Sequence, residues 1–387
     1  MKAIIHPVAG SLALLTIATF WLSTVISELS GSRDLVVAVK SAIPWGLLVL
    51  VPALAATGGS GLALSQGVRS GAVGRKLRRM PFIAANGLLV LLPSALFLAA
   101  RAKAGAFDAP FYAVQAVELI AGPINLFLLG LNMRDGFRMS GRLARSTLPL
   151  QPTTLLRMET VAENTTAFHV SRPVGFTWEP GQAAVFSLLD EAGKTGIGMD
   201  HTFTLVGTAG SDELTFATRM RDSRYKQALR RIAPGDRIGV QGPLGDFTLP
   251  VGSDRPLVFL AGGIGITPFL AMIRDATKSH RLQKITLFYS NKDKAGAAFL
   301  AELDDLATAN PEFTFVPTLT GIEATATQWP GETGRIDAAM LLRHVDLASK
   351  PIFYIAGPAA IVTNMEHVLS GMGVAPTDIR YEAFFGY

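Results

Sequence analysis

Four apolar runs fill the first third of the chain, at about residues 4–27, 41–64, 82–100 and 110–133. Each is long enough to cross a hydrocarbon core, which takes roughly 20 apolar residues in a helix. Four such runs in succession predict a helical membrane bundle, because only helices and closed barrels satisfy their own backbone polar groups inside lipid. The first run is too long for a removable signal peptide and is not followed by a small-residue cleavage site and a polar mature chain. Trp21, Trp45, Phe111 and Tyr112 lie within or at the ends of the runs, as interface anchors do. Glu118 is the one charge inside them.

Charge follows the same division. Residues 1–145 hold 14 Lys and Arg against 5 Asp and Glu, a net of +9; the other 242 residues hold 21 against 25, a net of −4. A basic stripe on a folded surface would point to nucleic acid, but these cations sit in short segments between apolar runs, so no nucleic-acid partner is expected. Arg69, Arg75, Lys76, Arg78 and Arg79 separate the second and third runs, and Arg134, Arg138, Arg142 and Arg145 follow the fourth. With Lys2 they mark one side; the other loops carry only Arg33, Lys40, Arg101 and Lys103. The asymmetry predicts a multi-pass protein of the inner (cytoplasmic) membrane, with both termini and everything after residue 145 cytoplasmic.

The chain has 387 residues and no cysteine. Thiolate metal sites, Cys-ligated iron–sulfur clusters and Cys nucleophiles are thereby excluded, and no metal centre is predicted. A transmembrane haem relay needs His pairs on facing helices, and the only His before residue 168 is His6. Glu118, with Gln115 and Asn125 on the same run, is open to two readings: a carboxyl hydrogen-bonded to a neighbouring helix, or a quinone or proton site.

From Leu148 the texture changes to short runs rich in Thr, Val and Phe, broken by Gly and Pro. Segments 153–159, 166–170, 183–188, 202–207, 214–220 and 237–241 read as strands, and strands spaced so closely predict a barrel or sandwich. From Arg255 onward, apolar strands at 257–261, 285–290, 314–318 and 352–356 alternate with helices near 267–278 and 296–309, the signature of a parallel sheet with crossover helices. Three domains follow: 1–145, 146–252 and 253–387.

Several motifs carry chemistry. Ala261-Gly262-Gly263-Ile264-Gly265-Ile266-Thr267-Pro268 is a buried strand running into a glycine turn and a helix start, where backbone N–H groups can approach a pyrophosphate; Thr267 is expected to cap and Pro268 to take the first helical position. In His201-Thr202-Phe203-Thr204, alternation places His201 and Phe203 on one face and the two hydroxyls on the other. Gly242-Pro243-Leu244-Gly245 follows a strand as a tight turn, and Arg219, Arg221 and Ser223 precede a short helix. The chain ends on Glu382-Ala383-Phe384-Phe385-Gly386-Tyr387, an aromatic terminus that needs something flat to cover.

Taken in order, the H-x-F-T strand, the G-P-x-G turn, the A-G-G-x-G-x-T-P loop, Ala356-Gly357-Pro358 and the terminal E-x-F-x-G-Y resemble the ferredoxin–NADP(+) reductase superfamily over residues 150–387. The runs Gly334-Arg335-Ile336-Asp337 and Arg219-Met220-Arg221-Asp222-Ser223 are similar to bacterial flavin reductases of that group. The resemblance implies an antiparallel flavin β-barrel and an α/β nucleotide domain behind the helical membrane bundle, with FAD and NAD(P)H as cofactors. It implies that His201, Thr202, Phe203 and Thr204 line the flavin, with Thr204 nearest its reactive nitrogen. His201 stands where much of the family has Arg, so Arg219 and Ser223 are expected to share the flavin's phosphates; Gly242 shapes the adjoining turn. Glu382 and Phe384 are the terminal acid and the ring that covers the flavin. Gly262, Gly263, Gly265 and Thr267 are expected to hold the nucleotide's pyrophosphate and ribose, while Gly357 and Pro358 shape the nicotinamide approach. Ser290 and Lys292 can accept a 2′-phosphate, which tilts the reading toward NADPH.

The expected activity is hydride transfer from NAD(P)H to FAD, with electrons passing to a membrane acceptor, a quinone or a separate haem or iron protein. Two alternatives stay open: a membrane-anchored interaction or sensor protein that uses the fold without turnover, and a reductase whose spans only anchor it for a soluble acceptor.

Overall fold

The computed structural model describes residues 2–65, 71–139, 148–190, 193–321 and 329–384. They form two compact units, Met1–Arg142 and Leu143–Tyr387. The first is helical: α1 (Lys2–Leu29), α2 (Arg33–Ser65), α3 (Gly71–Ala85), a π-helical turn (Asn86–Leu91), α4 (Leu92–Lys103) and α5 (Ala109–Met139). Four stretches are long and apolar enough to cross a membrane: His6–Leu29, Arg33–Ala63, Lys76–Lys103, which runs through the π turn, and Ala109–Phe137.

These helices outrun the apolar runs that predict them, and that corrects two expectations. Lys40, assigned by pattern to a loop, lies inside α2, fully buried, and its Nζ donates to Glu118 of α5 and, at 3.3 Å, to Thr24 Oγ1 of α1. Nor is Glu118 the sole charge within the spans: Arg79 of α3 donates to Asp135 Oδ2 at 2.8 Å and Asn132 Oδ1 at 3.2 Å, both on α5. A helix need not stop at a charge that a neighbouring helix neutralises. His6 Nδ1 lies 3.1 Å from both Thr57 O and Ser60 Oγ, so that ring is engaged between α1 and α2. Arg69, Arg142, Arg145, Phe385, Gly386 and Tyr387 lie outside the described residues.

The second unit has two sheets. The first comprises β1 (Gln151–Ala162), β2 (Thr165–Ser171), β3 (Ala183–Leu189), β4 (Thr195–Thr204), β5 (Glu213–Arg219) and β6 (Arg237–Leu244), antiparallel in the order β4-β3-β6-β1-β2-β5. The expected closed barrel is not what the pairing gives. Past the end of β4, Val206 N–H donates to Thr215 O of β5 at 2.8 Å, but no ladder joins those two strands among the described residues. β4 and β5 thus remain the two ends of an open sheet. Its inner face is aromatic: Phe216 packs against Phe168, Phe186 and Phe203 with centroids 5.1, 4.1 and 4.8 Å apart. Burying each such ring is worth roughly 1.5–3 kcal/mol. α6 (Arg224–Leu229) follows β5.

The second sheet is parallel, in the order β10-β9-β8-β7-β11-β12. Its strands are β7 (Leu257–Gly262), β8 (Ile285–Asn291), β9 (Phe313–Leu319), β10 (Glu332–Thr333), β11 (Ile352–Pro358) and β12 (Ile379–Phe384). Helices α7 (Ile266–Lys278), α8 (Leu300–Ala309), α9 (Ala338–His344) and α10 (Ala359–Gly371) supply the crossovers. β7, β8 and β11 are buried along nearly their whole length, as strands covered on both faces are. The strand order reverses between β7 and β11. A crevice at the carboxyl ends of the strands is expected at that switch point.

Candidate nucleotide and flavin site

A cavity of about 680 Å³ opens where that crevice is expected. The ends of β7, β8 and β11 bring Gly262, Gly263, Ser290, Lys292 and Pro358 to its wall, and Arg219 reaches it from the end of β5. The glycines are there for contact distance. A Cβ on Gly262 would lie 2.2 Å from Ile361 Cδ1, and one on Gly265 only 2.2 Å from Ala356 O and 2.6 Å from Gly357 Cα. Gly263 sits at φ +54°, the left-handed region that side chains resist. The glycine turn thus lays its backbone flat against the end of β11, leaving peptide N–H groups near the start of α7, where a helix favours anions.

Thr267 behaves differently from expectation. α7 begins at Ile266, one residue earlier than the pattern predicts, with Gly265 in the cap position. Thr267 is 3% exposed, and its hydroxyl donates to Ile264 O at 3.1 Å. It braces the turn from beneath and is not among the cavity's walls.

Arg219 has two sides. Its guanidinium Nη2 donates to Gly296 O at 3.1 Å on the cavity wall, while its carbonyl accepts from Lys226 Nζ at 2.8 Å. Lys226 is buried, and burial, with Arg221 and Arg219 nearby, pushes its ammonium down to about 8. Ser223 caps α6, accepting from Lys226 N–H at 3.3 Å, which leaves its own O–H to donate. α6 packs on β4 through Tyr225, whose ring centroid is 5.7 Å from that of His201; His201 in turn stacks on Phe203 at 4.7 Å. Thr202 is exposed, whereas Phe203 and Thr204 are 2% and 6% exposed. His201 is therefore backed by the buried aromatic layer, while Thr202 stands on the outer side of the strand. Gly242 lies away from the cavity wall, on the β3–β6 ladder, where a Cβ would meet Ala184 Cβ at 2.9 Å.

The chain end joins the parallel sheet as its edge. β12 pairs with β11 so that Glu382 lies opposite Ala356, Ala383 opposite Gly357 and Phe384 opposite Pro358. Glu382 Oε2 is buried with no hydrogen-bond partner among the described residues. Burial, then the Asp246 charge, pushes this carboxyl up to about 7. Phe384 packs at the border of the core that contains Ala356 and Tyr354.

Three cations, Arg219, Lys292 and Arg335, line the cavity, along with Asn291, Thr320 and Asn364. Arg335 is a site residue that single-motif reading misses: it is exposed, has no periodic signature, and reaches the cleft only because β10 lies beside β9.

The comparisons agree with this architecture. Residues 259–367 match the family described as oxidoreductase NAD-binding domain. A component of the Na(+)-translocating NADH-quinone reductase of Neisseria gonorrhoeae is 30% identical over 159 residues, 40% of this chain and 39% of that protein. The reductase component of propane 2-monooxygenase from Mycolicibacterium goodii is 27% identical over 219 residues, 55% of this chain and 60% of that one. The chain thus spans less than two thirds of either relative. Among solved structures, a ferredoxin NADP+ reductase from Neisseria gonorrhoeae with bound FAD and NADP superposes with a TM-score of 0.53 at 20% identity, covering 61% of this chain and 99% of that one. An Amycolatopsis cytochrome P450 reductase gives 0.53 at 23% identity, covering 62% and 71%. The fold is that of the FAD- and NAD-binding reductases. The second unit accordingly carries an oxidoreductase NAD-binding domain match within a ferredoxin reductase-like fold, and it follows an N-terminal segment of four long apolar helices.

Proposed function

We propose that this chain is a membrane-integrated NAD(P)H-dependent flavin reductase that passes electrons to an acceptor in or at the membrane. The observation that carries the reading is the cleft itself: Gly262, which admits no Cβ, Gly263 in the left-handed region and three cations converge where the parallel sheet reverses its order. Those residues fit the two cofactors. Gly262, Gly263 and Gly265 would lie along the dinucleotide's phosphates, with Arg219, Lys292 and Arg335 offsetting their charge. Ser290 and Lys292 stand where a 2′-phosphate would be recognised. His201, Thr202, Phe203, Thr204, Ser223 and Gly242 belong to the flavin side, and Gly357, Pro358 and Phe384 to the meeting point of nicotinamide and flavin rings. Bound FAD supplies a carrier that takes a hydride and releases electrons singly or in pairs.

The protein's own share is position and protons. The backbone of the glycine turn orients the nucleotide, and Phe384 excludes water from the edge of β11. Glu382, neutral over much of the range below about pH 7, can hold a proton beside the transfer point. The Neisseria gonorrhoeae relative, named as part of an NADH-quinone reductase, favours a quinone over a soluble acceptor, and a separate haem or iron protein is the other member of this class. Lys and Arg placement supports cytoplasmic termini and a cytoplasmic reductase unit, on the inner-membrane side where NAD(P)H is found.

The test is direct. Detergent-purified protein supplied with FAD is expected to oxidise NADH or NADPH with ferricyanide as an artificial acceptor. Oxidation of neither nucleotide would contradict the reading.

A further inference from the structure

The helical unit holds a cavity of its own, about 410 Å³, with walls from α1, α2, α3, the π turn, α4 and α5. Its lining is almost wholly apolar, with Thr24, Glu118 and Asn125 as the polar exceptions. Val51, Ala55, Ala84 and Leu88 line it and are also exposed on the outer surface of the helices, so the mouth opens sideways between α2 and the third span. A lateral apolar mouth admits molecules dissolved in lipid and turns away those dissolved in water.

Three features prepare this space for a flat ring bearing oxygen. Trp21 forms an aromatic wall, its indole fixed by donation to Leu119 O at 3.2 Å and seated over Gly122, where a Cβ would come within 2.7 Å of it. Asn125 is 1% exposed, donates to Ile83 O at 3.4 Å, and keeps its Oδ1 without a hydrogen-bond partner among the described residues. An orphaned amide oxygen in an apolar wall costs about 1–3 kcal/mol, a cost that a ligand hydroxyl would remove. The π turn supplies Gly87, Leu88 and Leu91 to the wall beside it, and such turns gather at functional sites.

We propose that this cavity binds the ring of a lipid-soluble quinone, entering from the bilayer between α2 and the third span. Asn125 accepts from a hydroxyl of the reduced ring and, turned about its last bond, donates to a carbonyl of the oxidised one. Glu118, joined to Lys40, borders the same space. The proposal deepens the acceptor side of the reading above and rests on it for the meaning of binding, though not for binding itself.

The experiment uses the full chain in lipid nanodiscs with a photoreactive azido-ubiquinone, the labelled peptides being located by mass spectrometry. Label is expected on segments 17–24, 83–91 or 118–125, displaced by excess decylubiquinone and not by added phospholipid. Ala84→Phe, which plugs the mouth from an exposed position, and Asn125→Leu, which removes the amide, should each lower it about tenfold. Label spread elsewhere, unchanged in both variants, or displaced equally by phospholipid overturns the proposal. Cavity labelling without NAD(P)H-driven quinone reduction would uphold the site and refute quinone as the acceptor; quinone reduction with the cavity unlabelled would do the reverse.

Discussion

The two cavities of this molecule are opposites. The cleft in the reductase unit is walled by backbone, glycine and cations, whereas the hollow in the helical unit is walled by Leu, Ile and aromatic rings with one unsatisfied amide. Phosphates are held by N–H groups and positive charge that water can reach; a lipid-borne ring is held by shape, with a single polar contact to orient it. The same contrast governs the ion pairs. Lys40 is buried between helices against part-buried Glu118, where neither charge is expected without the other, while Arg343 and Glu332 of the second unit meet at 2.7 Å at its surface, within reach of water.

This contrast can be broken at chosen points. The largest effect is expected at the glycine turn: Gly265→Val drives its side chain into Ala356 and Gly357, so NAD(P)H-driven flavin reduction should fall at least 100-fold while dithionite still bleaches the flavin. Equal loss of both would mean that the turn serves folding alone. Next, Arg335→Ala and Lys292→Ala should each raise KM for NADPH about tenfold, a loss of roughly 1.4 kcal/mol in binding. The Lys292 effect should be smaller for NADH, and an equal change for both nucleotides would separate Lys292 from 2′-phosphate recognition.

Glu382 gives a sharper, pH-dependent comparison. Its folded pKa lies above its unfolded one, so the stability it contributes is fully present below about pH 4.5 and is lost as pH rises through about 7. Glu382→Gln should flatten that decline in thermal denaturation between pH 5 and 8, and should remove the limb near pH 7 from the kcat profile. A mutant profile that still turns near pH 7 would assign that limb to another group. The smallest effect is expected at Ser223→Ala, which removes a helix cap and a donor and should weaken FAD binding several-fold, measured by flavin fluorescence on dilution.

How much of this is legible in the sequence differs between the two regions. In the reductase unit the parallel strands are readable from buried apolar runs, and the ordered motifs point to the cleft without any fold in hand. The pattern starts β4 at Thr202, whereas the strand begins at Thr195, because Gly196 and Gly198, the latter at φ +72°, look like a turn where the strand in fact runs on through an irregularity between the pairs Leu189–Thr195 and Ser187–Asp200. Arg335 stands in the recognisable Gly334–Asp337 run, but that it lines the cavity is legible only once β10 is paired beside β9. In the helical unit the number of apolar stretches is legible, but their ends are not. A hydropathy pattern treats Lys40 as the edge of a span; partners on other helices let it sit inside one.

The central claim, that this chain reduces a bound flavin with nicotinamide nucleotide, is tested most directly by the visible spectrum of the purified, FAD-loaded protein before and after anaerobic NADH or NADPH. The account predicts that the flavin band bleaches on adding nucleotide and returns on adding an oxidised quinone. A band that persists through both nucleotides, yet bleaches with dithionite, would contradict it.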